Sequence, residues 1–319
     1  MKAAIVQGPR QIPAIADFPE PAPRPGEVVV TVTAAALSHV ARSRASGAHY
    51  SSRDGFPFVA GVDGVGRLAE GGRVYFVLPR APYGAMAERT IVPVSHCLPL
   101  PDGLDDITAA AIANPGLSSW AALTQRANLR RGNTVLINGA TGAAGRLAIQ
   151  VTRHLGSGKI VATGRNASAL QEAEALGADA TIEIGQEGEA FREAAAHHFR
   201  DGVDVVLDYL WGQSAEHLLI AAAMAAPERR PICYVEIGAA SCGEIKLPAA
   251  VLRSSAIELV GSGIGSIPLD RLIAATADFF QAAAASGFVI PVRTAPLSNV
   301  STAWNEVSGP RIVFTTDMA

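Results

Sequence analysis

The apolar positions of this chain follow two rhythms. Up to about residue 112 they form short β-branched runs broken by Pro and Gly, at 27–33, 61–68, 73–78 and 88–92. Short runs between turn residues predict an antiparallel, barrel-like β domain. From about 117 to 285 apolar runs alternate with longer helical patterns, and strands are expected at 135–138, 159–163, 203–208, 232–237 and 257–260. That alternation predicts α/β architecture, a parallel, doubly wound sheet with helices on its faces. Strand signals return at 288–293 and 311–314. The expected division is therefore a first domain of residues 1–116, completed by 287–319, and a second of 117–286.

The most informative stretch is Val135-Leu136-Ile137-Asn138-Gly139-Ala140-Thr141-Gly142-Ala143-Ala144-Gly145. A strand that enters a turn of small residues lets backbone approach a pyrophosphate, and the helix that follows presents unpaired N–H groups and a positive dipole end. Gly142 and Gly145 stand at the last two glycine positions of the dinucleotide fingerprint, with Ala140 at the first. A second strand at 159–163 closes a βαβ unit, and after it the chain reads Gly164-Arg165-Asn166. An NAD site places a carboxylate there for the ribose hydroxyls. A guanidinium instead grips a 2′-phosphate through paired hydrogen bonds, so the expected cofactor is NADPH. The candidate cofactor residues are Gly139, Ala140, Thr141, Gly142, Ala143, Ala144, Gly164, Arg165 and Asn166. To these the ends of later strands add Tyr209, Leu210, Ile237, Gly238, Gly261 and Gly263, with main chain at the last three expected to reach the nicotinamide carboxamide. Asp208 reads as a helix cap rather than a ribose ligand, and region 181–184 lacks a tyrosine that would join a 2′-phosphate site.

Composition changes the picture mainly by exclusion. The chain has 319 residues, 49% hydrophobic and 17% charged, which suits two globular domains. Its net charge of −3 argues against nucleic acid as a partner. Three isolated cysteines, Cys97, Cys233 and Cys242, provide no disulfide framework and no CxxC ligand pair. The opening residues break at Gly8-Pro9 before a signal peptide's apolar core is complete, and no apolar run is long enough to span a membrane. A reducing cytoplasm is the expected home.

This order of parts resembles the medium-chain dehydrogenase/reductase superfamily, in its zinc-free quinone oxidoreductase branch, which includes the zeta-crystallins. The matching segments are Gly61-Val62-Asp63-Gly64-Val65-Gly66, Tyr83-Gly84-Ala85-Met86-Ala87-Glu88, Leu98-Pro99-Leu100-Pro101-Asp102-Gly103-Leu104, Gly116-Leu117-Ser118-Ser119-Trp120 and the glycine turn. The resemblance implies a GroES-like β-barrel catalytic domain, a Rossmann domain, NADPH, and hydride transfer to a quinone or activated alkene. Where related alcohol dehydrogenases carry zinc ligands this chain has Ser38, Val62 and the neighbourhood of Asn114 and Pro115, so no metal is expected; His39 and His49 lack a third ligand. Family members line the nicotinamide and substrate at the positions of Ser38 and Asn114, whose alternative reading is turn capping. Ser43 takes the place of a tyrosine common in the branch. Tyr50 and Tyr83 are the candidate phenols, and either reads equally well as packing.

Without a Lewis acid the acceptor must already be electrophilic, which quinones and α,β-unsaturated carbonyls are and simple alcohols are not. Two other readings stay open: an enoyl-thioester reductase, for which Arg42, Arg44 and Arg53 are the basic cluster, and a crystallin-like structural role. A homodimer is expected, paired through an apolar strand at 257–261 if that strand lies at a sheet edge.

Overall fold

Turn residues cut the first hundred positions into short strands. Among the described residues these are β1 (Lys2–Val6), β2 (Ala14–Asp17), β3 (Glu27–Ala36), β4 (Phe58–Val59), β5 (Asp63–Arg67), β6 (Arg73–Val77), β7 (Arg89–Pro93) and β8 (Cys97–Pro99), with helix α1 (His39–Ser46) after β3. The computed structural model describes residues 1–48, 55–185, 188–306 and 309–316. The long strand β3 pairs antiparallel with β5 and β7, and alternation along it buries Val30, Val32 and Ala34. Gly66 is required opposite it, because a Cβ there would lie 2.3 Å from the Thr31 carbonyl oxygen. Ser38 starts α1 by accepting the Ala41 N–H at 3.0 Å, and Gly47, at φ 78°, ends it.

Helix α2 (Asp106–Ala121) leads to the second unit. It is buried at every position from Ala109 to Ala113 and again at Trp120, so its middle is apolar all round. Then come β9 (Thr134–Asn138), α3 (Ala143–His154), β10 (Lys159–Gly164), α4 (Ala167–Ala175), β11 (Ala180–Glu183), α5 (Gly188–Asp201), β12 (Val205–Asp208), α6 (Gly212–Ala225), β13 (Ile232–Glu236), α7 (Ala249–Arg253) and β14 (Ile257–Gly261). All six strands are parallel, in the order β11-β10-β9-β12-β13-β14. The order reverses between β9 and β12, and at such a switch point the strand ends leave a crevice for a ligand. The strands are near-continuous apolar runs because both faces are covered by helices; Leu136, Val161, Val206 and Tyr234 belong to one core with Phe191, Phe199, Leu218 and Leu219.

Helix α8 (Leu269–Ser286) precedes β15 (Val292–Pro296), α9 (Val300–Ala303) and β16 (Arg311–Thr315), and β16 pairs antiparallel with β3. The strand expected at 288–293 forms four residues later. Phe288 and Ile290 are buried as side chains, but pairing with β16 begins only at Val292, opposite Arg311. Contacts divide the chain into Met1–Asn114 with Thr276–Ala319, and Pro115–Ala275. Among the described residues no helix is long and apolar enough to cross a membrane.

One glycine decides how α3 meets the sheet. A Cβ on Gly145 would lie 2.3 Å from the Gly139 carbonyl oxygen and 2.5 Å from the Ala140 Cα, both backbone, whereas a Cβ on Gly142 meets nothing within 4 Å. Gly145→Ala is therefore expected to lower unfolding stability by about 3 kcal/mol through overpacking, and Gly142→Ala by well under half of that. Denaturant titration checks this; equal midpoints for the two variants would contradict the packing argument.

Candidate active site

Polar residues at the ends of apolar strands form a closed hydrogen-bond chain across the carboxyl edge of the parallel sheet. The Gly139 N–H donates to Thr163 Oγ1 at 3.2 Å, and the Thr163 hydroxyl donates to Asn138 Oδ1 at 2.8 Å. Asn138 Nδ2 donates to Asp208 Oδ1 at 2.8 Å and to Ser214 Oγ at 3.0 Å, and the Tyr234 hydroxyl donates to Asp208 Oδ2 at 2.7 Å. Asn138, Thr163, Asp208 and Tyr234 are fully buried. Burial pushes the Asp208 carboxyl above the ordinary range, while bonds from Tyr234, Trp211, Leu210 and Asn138 pull it back. Side chains from four strands thus meet in one satisfied network. Tyr234 was not singled out from the sequence; the available signal was polar residues inside runs otherwise too apolar to hold them.

The network shapes the glycine turn. Gly139 has φ 89°, and the Ala140 N–H reaches the Thr163 carbonyl at 2.8 Å. Gly142 caps α3 with no side chain of its own, and the space its Cβ would fill is open, so an anion has room over Gly142, Ala143 and Ala144. Gly164 packs against Thr141, whose Cγ2 would lie 2.4 Å from any Cβ. Arg146, which the sequence reading missed, ties the turn to α4: its Nε donates to the Thr141 carbonyl at 3.1 Å and its guanidinium pairs with Glu172. Arg165 is exposed at the end of β10. Asn166 accepts the Ala169 N–H at 3.0 Å and so caps α4.

The remaining expected contacts gather on the same edge. Tyr209 and Leu210 follow β12; Tyr209 donates its N–H to the Asn138 carbonyl at 3.1 Å, and burial pushes its phenol up to about 12. Asp208 Oδ1 also accepts from the Leu210 and Trp211 N–H groups at 2.9 and 3.0 Å, so it braces the turn before α6 rather than capping the helix, whose N-cap is Trp211. Ile237 and Gly238 donate to the Asp208 carbonyl at 2.8 and 3.2 Å. Gly261 ends β14 opposite Glu236. The Gly263 N–H donates to Ser266 Oγ at 2.8 Å, as the Gly238 N–H does to Asp208, which leaves the Gly238 carbonyl as that residue's main-chain group toward a ligand.

The first unit brings its candidates together less completely. A small cavity of about 20 Å³, room for about one water molecule, is lined by Ala41, Arg44, Phe58, Val62, Pro82 and Tyr83, among others. Tyr83 stands at its wall, but its hydroxyl donates to the Glu20 carbonyl at 3.3 Å and its ring packs edge-on against Phe18 at 5.7 Å, a packing role. Ser38 is buried and caps α1, as its alternative reading had it. Asn114 does not cap a turn: it lies inside α2, directly before Pro115. Tyr50, His49 and Arg53 lie outside the described residues. Beside Val62, Asp63 is buried and accepts the Tyr75 hydroxyl at 3.1 Å. Burial pushes Asp63 up to about 6, against the opposing pull of Arg311 and Tyr75. Among the described residues no group of three His, Cys, Asp or Glu is placed to hold a metal. Burial, together with the Arg42 and Arg311 guanidiniums, holds His39 below its ordinary value.

A glycine turn at the switch point of a six-stranded parallel sheet, joined in one chain to an antiparallel β unit, defines a two-domain nucleotide-dependent dehydrogenase fold. Residues 143–280 match the family model described as zinc-binding dehydrogenase. A probable NADPH-dependent quinone reductase of Emericella nidulans is 28% identical, over 95% of this chain and 96% of its own. The quinone oxidoreductase of Thermus thermophilus, solved also as its NADPH complex, superimposes with a TM-score of 0.81 at 28% identity, covering 99% of this chain and 100% of that one. A mycobacterial quinone oxidoreductase reaches a TM-score of 0.83 at 21% identity, with 99% of both chains covered. These likenesses support the medium-chain dehydrogenase/reductase superfamily, in its quinone oxidoreductase branch, with a GroES-like β domain and a Rossmann domain.

Asp63 carries a measurable signature. Its folded pKa, about 6, lies above its ordinary value of 3.8, so between those values the folded chain holds a proton that the unfolded chain has lost. Its contribution to stability is full below about pH 4 and is lost as pH rises through 6, by on the order of 3 kcal/mol. Asp63→Asn is expected to flatten that part of the stability–pH curve between about pH 4 and 6. An unchanged slope in equilibrium denaturation would contradict the assignment.

Proposed function

We propose that the protein is an NADPH-dependent reductase that passes hydride to a quinone or another α,β-unsaturated carbonyl without zinc. The observation that carries this reading is the carboxyl-edge turn, open over Gly142 and followed by Arg165 where NAD sites hold a carboxylate. Glu183 stands in register with Gly164 on the neighbouring strand, so Arg165 also offsets a charge that a 2′-phosphate would otherwise meet. The two full-length relatives at 28% identity are, by their names, a quinone reductase and a quinone oxidoreductase solved with NADPH.

In this reading bound NADPH supplies the hydride. The N–H groups of Gly142, Ala143 and Ala144 hold the pyrophosphate, Arg165 holds the 2′-phosphate, and Tyr209, Leu210, Ile237, Gly238 and Gly261 flank the nicotinamide half. Ser38 accepts an N–H through Oγ and so keeps its hydroxyl proton to donate toward a developing oxyanion. Tyr50, Asn114 and the wall at Tyr83 are the further candidates on the acceptor side. Residues 1–116 with 287–319 form the catalytic domain and 117–286 the NADPH domain. With its cysteines unpaired, the protein suits a reducing cytoplasm. Strand β14 lies at a sheet edge with Leu259 exposed, which supports a homodimer built on that edge; light scattering is expected to give twice the chain mass, and a monomer mass with NADPH present would contradict it.

Initial rates of NADPH oxidation with benzoquinones, an enone and an enoyl thioester test the activity. Turnover of quinones or enones, unaffected by a chelator, is expected. Turnover of the thioester alone would shift the reading to an enoyl-thioester reductase, and stoichiometric zinc would refute the metal-free chemistry. In the same assay Arg165→Ala is expected to raise KM for NADPH about 10- to 100-fold, the loss of a charge-assisted bidentate contact of about 1.5–3 kcal/mol. KM for NADH should move less than about threefold. Equal effects on both cofactors would contradict the phosphate assignment.

A further inference from the structure

The link from β12 to α6 contains a residue whose backbone does not suit its side chain. Trp211 sits at φ 58°, ψ −156°, a region that glycine occupies freely and a bulky residue rarely does, and Gly212 follows at φ 61°. Such a conformation persists only where the surroundings over-determine it. Here they do. Both N–H groups of Leu210 and Trp211 are held by Asp208 Oδ1 at 2.9 and 3.0 Å. The Leu210 carbonyl accepts the Ser241 N–H at 2.8 Å, and the Trp211 carbonyl accepts the Ser214 hydroxyl at 3.3 Å. The Trp211 side chain is half-buried against the apolar core of the Rossmann domain, where Ile184, Ile245 and Leu247 also pack.

The clamp has a direction. Leu210 lies over the first residue of the dinucleotide turn: a Cβ on Gly139 would fall 2.8 Å from Leu210 Cγ and 2.9 Å from Cδ2. Gly139 in turn donates its N–H to Thr163 Oγ1, the start of the buried network. We propose that Trp211 is a positioning residue for NADPH, its side chain wedged into the core so that the strained link presses Leu210 onto the turn at Gly139. This rests on the reading of that turn as the NADPH seat. The wedge acts through Leu210 and needs no contact of its own with the cofactor.

Three variants separate backbone strain from the wedge. Trp211→Gly removes both, Trp211→Ala removes the wedge and keeps the strain, and Trp211→Phe keeps an aromatic wedge. The melting midpoint of the ligand-free protein and the dissociation constant for NADPH, followed by nicotinamide fluorescence, are the readouts. Trp211→Gly is expected to melt above Trp211→Ala, the reverse of the usual order. Both should bind NADPH about 5- to 20-fold more weakly, with Trp211→Phe within about twofold of the unaltered protein. Leu210→Ala should weaken binding similarly, and combining it with Trp211→Gly should add little, because the two act in series. Binding by Trp211→Gly as tight as that of the unaltered chain would overturn the proposal, as would full additivity with Leu210→Ala. If the unaltered chain binds no NADPH, the cofactor reading falls and takes the proposal with it.

Discussion

The buried hydrogen-bond chain from Gly139 through Thr163, Asn138 and Asp208 to Tyr234 is the constraint on which the rest of the second unit depends. Parallel strands covered on both faces must end somewhere, and a polar group left unpaired at a dry strand end costs about 1–3 kcal/mol. In this chain each such group finds the next, across sequence separations of 24 to 76 residues. The result sets the exits of β9, β10, β12 and β13 relative to one another. It leaves the glycine turn open toward solvent at Gly142 and stiff at Gly139. An anion seat of this kind binds well because it is formed before the ligand arrives.

The two units divide the chemistry. The Rossmann unit is built from satisfied polar groups and close backbone approaches, Gly145 against Gly139 above all, and these suit the recognition of a rigid phosphate-bearing cofactor. The β unit offers a small hollow beside Val62, lined by polar and apolar groups alike, and a buried carboxyl, Asp63, that burial pushes up to about 6. Its polar candidates are few, and Tyr83 is already engaged with Glu20. So few polar groups suit an acceptor whose own conjugation carries the delivered charge.

Much of this was legible in the residues, for physical reasons that differ from element to element. The strand, turn and helix at 135–154 were readable because β-branched runs, glycines and an Ala/Leu/Ile helix each carry a local signal. The expected strand at 288–293 lies later, because burial of Phe288 and Ile290 is set by packing and pairing is set by where Arg311 arrives, and only the first shows in the sequence. Turn capping, the alternative reading of Asn114, fails because the residue lies inside a helix, where its neighbours Ala109 to Ala113 and the core around them outweigh its own propensity. The partners of Asp208 and the pull of Arg311 on Asp63 join residues far apart in the chain, so no local pattern marks them. Trp211 contradicts local propensity outright, and such conflicts are expected where a structure is held for a purpose.

The central claim is that the carboxyl edge of this sheet is the seat of NADPH. A crystal structure of the protein with NADPH tests it most directly. The account predicts the pyrophosphate over the N–H groups of Gly142, Ala143 and Ala144, the 2′-phosphate on the Arg165 guanidinium, and the Asn138–Asp208 network unchanged. A dinucleotide bound elsewhere, or a 2′-phosphate that leaves Arg165 in solvent, would contradict it.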